Sequence, residues 1–197
     1  MSTEKNPLYP VFLKLHELRL LIVGAGEVGY EKLSFILKSS PQANITVVAP
    51  WVSQPVGELL EQGNYQVDIH RRPFEEADIQ SHDLVIAATN IPVLNRQVRT
   101  AAKAQGILVN VADTPGLCDF YLGSIVTKGQ LKVGISTNGK SPTLAKRFRQ
   151  LLEEILPEET DELLANLHAY RDTLGGDFEE KVRRLNELTA GLLQKEN

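Results

Sequence analysis

Little in this chain of 197 residues can form a covalent crosslink or a dedicated metal centre. It has one cysteine, Cys118, so no intrachain disulfide is available, and that usage fits a reducing compartment and a cytoplasmic setting. His16, His70, His82 and His168 show no ligand spacing, and no metal site is expected from them. No apolar run approaches the ~20 residues of a membrane-spanning helix. The opening MSTEKNPLYPVFLKL has neither a long apolar core nor a small-residue cleavage site, so no signal peptide is expected. A net charge of −4 lacks the basic excess that marks nucleic-acid binding, though it does not forbid an anionic small ligand. What remains, at 42% hydrophobic and 23% charged, is the composition of an ordinary globular protein.

A further gap sits inside a familiar motif. LLIVGAGEVG, residues 20–29, runs from apolar residues into a G-x-G-x-x-G pattern at Gly24, Gly26 and Gly29. Gly24 permits a tight turn, Gly26 lets the backbone approach a pyrophosphate, and Gly29 lets helix and strand pack closely. An acid about twenty residues on usually grips the ribose. Here Ala49, Pro50 and Trp51 stand in its place. Neither an acid favouring NAD nor an arginine favouring NADP is present. Backbone groups after Pro50 could bind the ribose, and Trp51 could cover the adenine or pack at the sheet edge.

Periodicity places the motif in context. Strand signals over 19–24, 44–49, 65–70, 83–89 and 107–112 alternate with helical ones over 28–38, 56–62 and 92–105. That alternation predicts an α/β fold, a doubly wound parallel sheet with the glycines between first strand and first helix. After Asp113 the rhythm changes. Residues 120–127 and 130–137 read as a hairpin turning at Lys128-Gly129, and Ser141-Pro142 opens a helix. The rest is helical in pattern, broken near Pro157 and at Gly175-Gly176. A hairpin and a few helices are a poor independent core, so a homodimer is expected to bury them. The expected division is a Rossmann domain over 1–113, a dimerisation region over 114–150 and a helical domain over 151–197.

Candidate site residues follow from position. Thr89 and Asn90 end the fourth strand, where they could bond a ribose or nicotinamide, or Asn90 could cap the next helix. Asp113 ends the fifth strand, placed for proton transfer beside a nicotinamide or for an Asx-turn before Thr114-Pro115. Ser141, with Lys140, Lys146, Arg147 and Arg149, offers an anion site or a solvated helix face. Arg71-Arg72 could face substrate or be a surface pair, and no nucleophilic role is assigned to Cys118.

The blocks YPVFLKL, LLIVGAGEVGYEK, DLVIAATN with LNRQV, LVNVADTPGLCDFYLGSIV and VGISTNGKSPTLAKRFRQ, in this order, give a more specific signal than the glycines. Through them the chain resembles the precorrin-2 dehydrogenase / sirohydrochlorin ferrochelatase family, the dehydrogenase module of sirohaem synthase. The likeness covers about the first three-quarters of the chain. It implies NAD-dependent oxidation of precorrin-2 to sirohydrochlorin, with Fe2+ insertion in some members, in a homodimer. It also implies Asp113 as the catalytic aspartate, NAD contacts at Gly24, Gly26, Glu27, Val28, Gly29, Pro50 and Trp51, and a hairpin serine at Ser124. The family lacks the ribose acid as well. Its polycarboxylate substrate would give the cations around Ser141 a role. No methyltransferase domain, fused to this module in some relatives, is expected in this length. Rival readings are a non-catalytic NAD(H)-binding sensor and a cobalt chelatase of a corrinoid pathway.

Overall fold

The computed structural model describes residues 5–190, so the first four residues and the end of the predicted 151–197 domain lie outside the described part. Two compact units divide the chain, Met1–Gly123 and Ser124–Asn197. The expected lines after 113 and 150 fall within them.

The first unit runs β1 (Arg19–Ala25), α1 (Glu27–Ser39), β2 (Asn44–Val52), α2 (Gln54–Glu61), β3 (Val67–His70), β4 (Leu84–Ala87), α3 (Pro92–Ala104) and β5 (Leu108–Val111). The five strands are parallel in the order β3-β2-β1-β4-β5. This is the doubly wound order, with its reversal between β1 and β4. β1 is buried on both faces, which explains its unbroken apolar run. Leu20 and Ile22 meet Leu33, Ile36 and Leu37 of α1 and Val56 of α2. Leu21 and Val23 meet Val98, Ala101 and Ala102 of α3, together with Val85 and Val109. Each of these leucines, isoleucines and valines contributes about 1.5–3 kcal/mol through burial.

Between β3 and β4 the crossover is a short 3₁₀ turn, Glu76–Ser81. PFEEADIQSH carries no 3.6-residue apolar period, and Ile79 alone of the turn is buried. Glu75 and Asp78 close a capping box, and Arg72 donates to both Asp78 oxygens at 2.9 and 2.5 Å. With so short a crossover, a recess of about 310 Å³ stays open, lined by Thr46, Asp68, His70, Asp78 and His82 among others. None of the candidate site residues lines it.

The second unit begins with an antiparallel hairpin of β6 (Ser124–Lys128) and β7 (Leu131–Ile135). Lys128 pairs with Leu131, so the turn is Gly129-Gln130, one residue later than predicted. The two-residue turn needs a positive φ at its first position, and Gly129 supplies +53°. The Gln130 amide then donates to Asp161 at 2.8 Å. Helices α4 (Pro142–Ile155), α5 (Thr160–Thr173) and α6 (Phe178–Thr189) follow, broken where Pro157 and Gly175-Gly176 were expected to break them. Ser141 caps α4 by accepting from the Leu144 amide at 3.2 Å.

Candidate functional site

At the carboxyl edge of the parallel sheet the glycines do separate jobs. Gly24 has φ +110°, and a Cβ there would lie 2.5 Å from the Ala88 carbonyl oxygen. It therefore lets β1 and the end of β4 approach. A Cβ on Gly29 would collide with the Gly24 carbonyl, so this position seats α1 against the turn. Around Gly26, the N-cap of α1, a Cβ would meet nothing within 4 Å, and no side chain caps the helix. An uncapped helix start with open space beside it fits a dinucleotide pyrophosphate. Glu27 is exposed and Val28 half-buried in that first turn.

β2 approaches the same edge by a detour. Val23 pairs with Val48 and Ala25 with Val52, so Gly24 stands against Ala49, Pro50 and Trp51 together. Pro50 and Trp51 are thereby exposed, Trp51 at 66%. Ser53 follows, its amide bonded to the Ala25 carbonyl at 3.0 Å. Its hydroxyl is buried without a hydrogen-bond partner among the described residues. A buried hydroxyl left without a partner just past this detour is a second distinctive feature of the edge.

The end of β4 is held by a residue the sequence reading passed over. Buried Asn95 accepts from the Thr89 amide at 3.2 Å and the Thr89 hydroxyl at 2.7 Å, and donates to the Thr89 carbonyl at 2.9 Å. Asn90 is exposed and does not cap α3, whose N-cap is Ile91 with no side-chain bond. The signal was available: Asn95 lies one turn before Val98 on the stripe that continues through Ala101 and Ala102, a polar group in an apolar row.

Asp113 follows β5 with φ +56°, a left-handed conformation uncommon outside glycine, asparagine and aspartate. It is exposed, and its carboxylate makes no hydrogen bond or ion pair to the described residues, so the Asx-turn is not formed. The loop around it is closed from below. The Cys118 sulfur accepts from the Val111 amide at 3.2 Å and lies 3.2 Å from the Val111 carbonyl. Burial pushes the Cys118 thiol pKa above its ordinary value, which keeps it the protonated donor that this closure uses. Asp119 accepts from the Val109 amide at 3.0 Å and from Lys103 at 2.9 Å. Burial would raise the Asp119 pKa, but those two donors hold it below the usual carboxylate range.

Thr89, Asn90, Asn95, Arg96, Asp113 and Thr114 line a cleft of about 230 Å³ at the ends of β4 and β5. The fold thus brings the glycine turn, the Pro50-Trp51 detour, Thr89-Asn90 and Asp113 to one sheet edge. The second-unit candidates are described separately. Ser124 opens β6, half-buried; Lys140 and Lys146 are exposed; Arg147 donates to Gln150 at 3.1 Å; Arg149 is bound to Glu153 at 2.5 Å. The Ser141 hydroxyl is occupied as the α4 cap. Arg72 is likewise engaged, with Asp78. Among the described residues no group of three or more histidine, cysteine, aspartate or glutamate side chains could hold a metal, and no helix is long and apolar enough to cross a membrane.

Comparison with known proteins follows the same two-part outline. Residues 11–124 match a family model described as "Putative NAD(P)-binding", and residues 128–155 match one described as sirohaem biosynthesis protein, central. The siroheme synthase of Pseudoalteromonas atlantica is 39% identical over 176 residues, covering 89% of this chain and 37% of that protein. That of Methylococcus capsulatus is 37% identical over 175 residues, covering 89% and 34%. The chain therefore spans little more than a third of these relatives. A solved structure titled SirC, precorrin-2 dehydrogenase, superposes with a TM-score of 0.74 at 28% identity, covering 92% of this chain and 89% of that one. The α/β architecture with hairpin and terminal helices is shared with it.

Proposed function

This chain belongs to the NAD(P)-binding family that its residues 11–124 match, and we propose that it oxidises precorrin-2 to sirohydrochlorin with NAD+. One observation carries the reading: an unpaired carboxylate, Asp113, lines the same cleft as Thr89 and Asn90, beside the glycine turn. The similarity to a precorrin-2 dehydrogenase over most of both chains supports it.

When bound, NAD+ supplies a hydride acceptor. The chain's own residues do the rest. The first turn of α1, at Gly26, Glu27 and Val28, holds the pyrophosphate with main-chain amides. Main chain around Pro50 and Trp51 receives the adenosine end. Asn95 fixes Thr89 and so shapes the wall of the cleft. Asp113 takes the proton that the tetrapyrrole loses as its C–H bond gives up the hydride, so two electrons and two hydrogens leave the ring together. Cys118 and Asp119 keep the loop that carries this base in place. Insertion of Fe2+ as a substrate, with Asp113 assisting loss of the pyrrole N–H protons, is the second activity we assign to this pocket.

The division into 1–113, 114–150 and 151–197 belongs to the same proposal, with the middle part forming a homodimer. Leu144, Phe148, Leu151 and Ile155 recur at helical spacing on α4, with exposures of 48, 47, 49 and 60%. Such a stripe suits a second copy of the chain. Ser124, Lys140, Ser141, Lys146 and Arg147 are assigned to substrate carboxylates, and the lone free cysteine supports a cytoplasmic site.

The test is anaerobic turnover of precorrin-2 with NAD+, followed by absorbance, for wild type and Asp113→Asn. Asparagine tolerates the left-handed backbone but cannot accept the proton. Sirohydrochlorin from wild type and a large loss in the variant support the proposal. NAD+ binding without turnover by wild type would sink it.

A further inference from the structure

We propose that Arg96 anchors one carboxylate of the tetrapyrrole, setting the ring edge against Asp113. The inference rests on the precorrin-2 reading above and adds a specificity residue to it.

Arg96 and Asp113 line one cleft, yet they form no ion pair with each other. Neither has another partner among the described residues. The contrast with the other arginines is informative. Arg19 is bound to Asp83, Arg72 to Asp78, Arg149 to Glu153 and Arg183 to Glu187, while Arg99 donates to the Leu117 carbonyl. Arg96 shares its free state only with Arg71, which lines neither cleft.

The surroundings of Arg96 reinforce its sign. It lies on the fifth residue of α3, which opens on Pro92 with no side-chain cap and no acidic residue in its first turn. A cation near a helix start adds to the positive end of the dipole and gains nothing from it. Arg96 and the start of α3 thus give one side of the cleft positive charge, opposite in sign to Asp113, the carboxylate among its lining residues. Two opposite charges that share a cleft without meeting leave room for a ligand between them. The ligand that suits both is one with a carboxylate for the guanidinium fork and a proton-losing carbon for Asp113. The oxidised nicotinamide ring carries a positive charge that the Arg96 guanidinium would repel, so a carboxylate of the tetrapyrrole is the better partner for that cation.

The measurement is the dissociation constant of sirohydrochlorin, by anaerobic absorbance titration, and of NAD+, for wild type, Arg96→Gln, Arg96→Lys and Lys38→Gln. Lys38 is exposed in the last turn of α1 and controls for loss of one positive charge. We expect Arg96→Gln to weaken sirohydrochlorin by about 10-fold, the scale of one charge-assisted pair. The KM for precorrin-2 should rise in step, with kcat falling less. Arg96→Lys should recover part of the loss, since an ammonium keeps the charge without the fork. Lys38→Gln should bind as wild type does, and NAD+ affinity should hold in all variants. Wild-type sirohydrochlorin affinity in a folded Arg96→Gln, while wild type still oxidises precorrin-2, would overturn the anchor and leave the function standing. A loss confined to NAD+ affinity would overturn it by moving Arg96 to the cofactor. A wild type that neither binds sirohydrochlorin nor oxidises precorrin-2 would overturn both.

Discussion

The two units of the chain treat their apolar residues in opposite ways. In Met1–Gly123, Leu21, Ile22, Val56, Val85, Val98 and Val109 are all at 0% exposure, packed on both faces of one sheet. In Ser124–Asn197, the buried apolar residues among those described are Val126, Ala145 and Leu174, while Leu144, Phe148, Leu151, Ile155, Leu163 and Phe178 stand open. The first unit satisfies its hydrophobic pattern internally. The second has the pattern without the cover. An amphipathic helix gains most of its stability from what it packs against, and this contrast is the ground for the homodimer proposed above.

That contrast can be sharpened first at the site, where the effect is largest. Asp113→Asn should lower the turnover of precorrin-2 by about 10²–10⁴-fold. Its thermal midpoint should stay close to wild type, because the carboxylate bonds to nothing in the described chain. A large fall in stability would mean that Asp113 belongs to the architecture of the first unit.

Truncation tests the units directly. Leu33→Ala, at 1% exposure, should cost about 2–5 kcal/mol in urea unfolding. Phe148→Asp, at 47%, should leave the first unit's transition in place and halve the mass seen by light scattering. If Phe148→Asp keeps the wild-type mass, the exposed stripe is not the dimer seam.

Two glycine variants separate packing from ligand binding inside the first unit. Gly29→Ala should cost about 1–3 kcal/mol, since the new methyl meets backbone that cannot yield cheaply. Gly26→Ala meets nothing and should cost less than about 1 kcal/mol, yet weaken NAD+ binding in a fluorescence titration. Equal losses of stability would merge the two roles.

The smallest effect concerns acid. Burial would raise the pKa of Asp78, but the Arg72 guanidinium and the Glu75 amide outweigh it and hold the group below its ordinary 3.8. A depressed carboxylate stabilises the fold above its unfolded pKa, and that contribution is lost as pH falls through the folded value. Arg72→Gln should therefore lower stability modestly at neutral pH and converge with wild type as pH falls below about 4, which flattens the acid limb of the stability curve. An acid limb as steep as in wild type would show that Arg72 contributes nothing to it.

Most of the first unit was readable because a sheet buried on both faces leaves long apolar strands, and because glycine, proline and serine mark the ends of helices. Pro92, Ser141, Pro157 and Gly176 all stand where their chemistry predicts. The 3₁₀ turn at Glu76–Ser81 was not readable, since side-chain bonds from Glu75 and Arg72 define it, not periodicity. The hairpin turn slipped by one residue because Lys128 gives no turn signal and Gly129 alone does not tell which side it closes. At the site, the glycines and Asp113 were visible as motif and position. Ser53 and Arg96 were not, because their significance is a matter of which neighbours they have or lack in three dimensions; Asn95 leaves a trace, a polar residue in the apolar row of α3, that does not by itself name Thr89 as its partner.

The detour in β2 has a consequence for cofactor choice. One residue of β1 stands against three of β2, so in the proposed placement of the cofactor the ribose end would be met by a length of chain. A main chain presents the same amides whatever side chains it carries, so exchanging one residue for an acid or an arginine acts on a position that the path has already moved outward. Redirecting this protein from one nicotinamide dinucleotide to the other is then an exercise in adding or deleting residues at 49–51, with loop length as the adjustable variable.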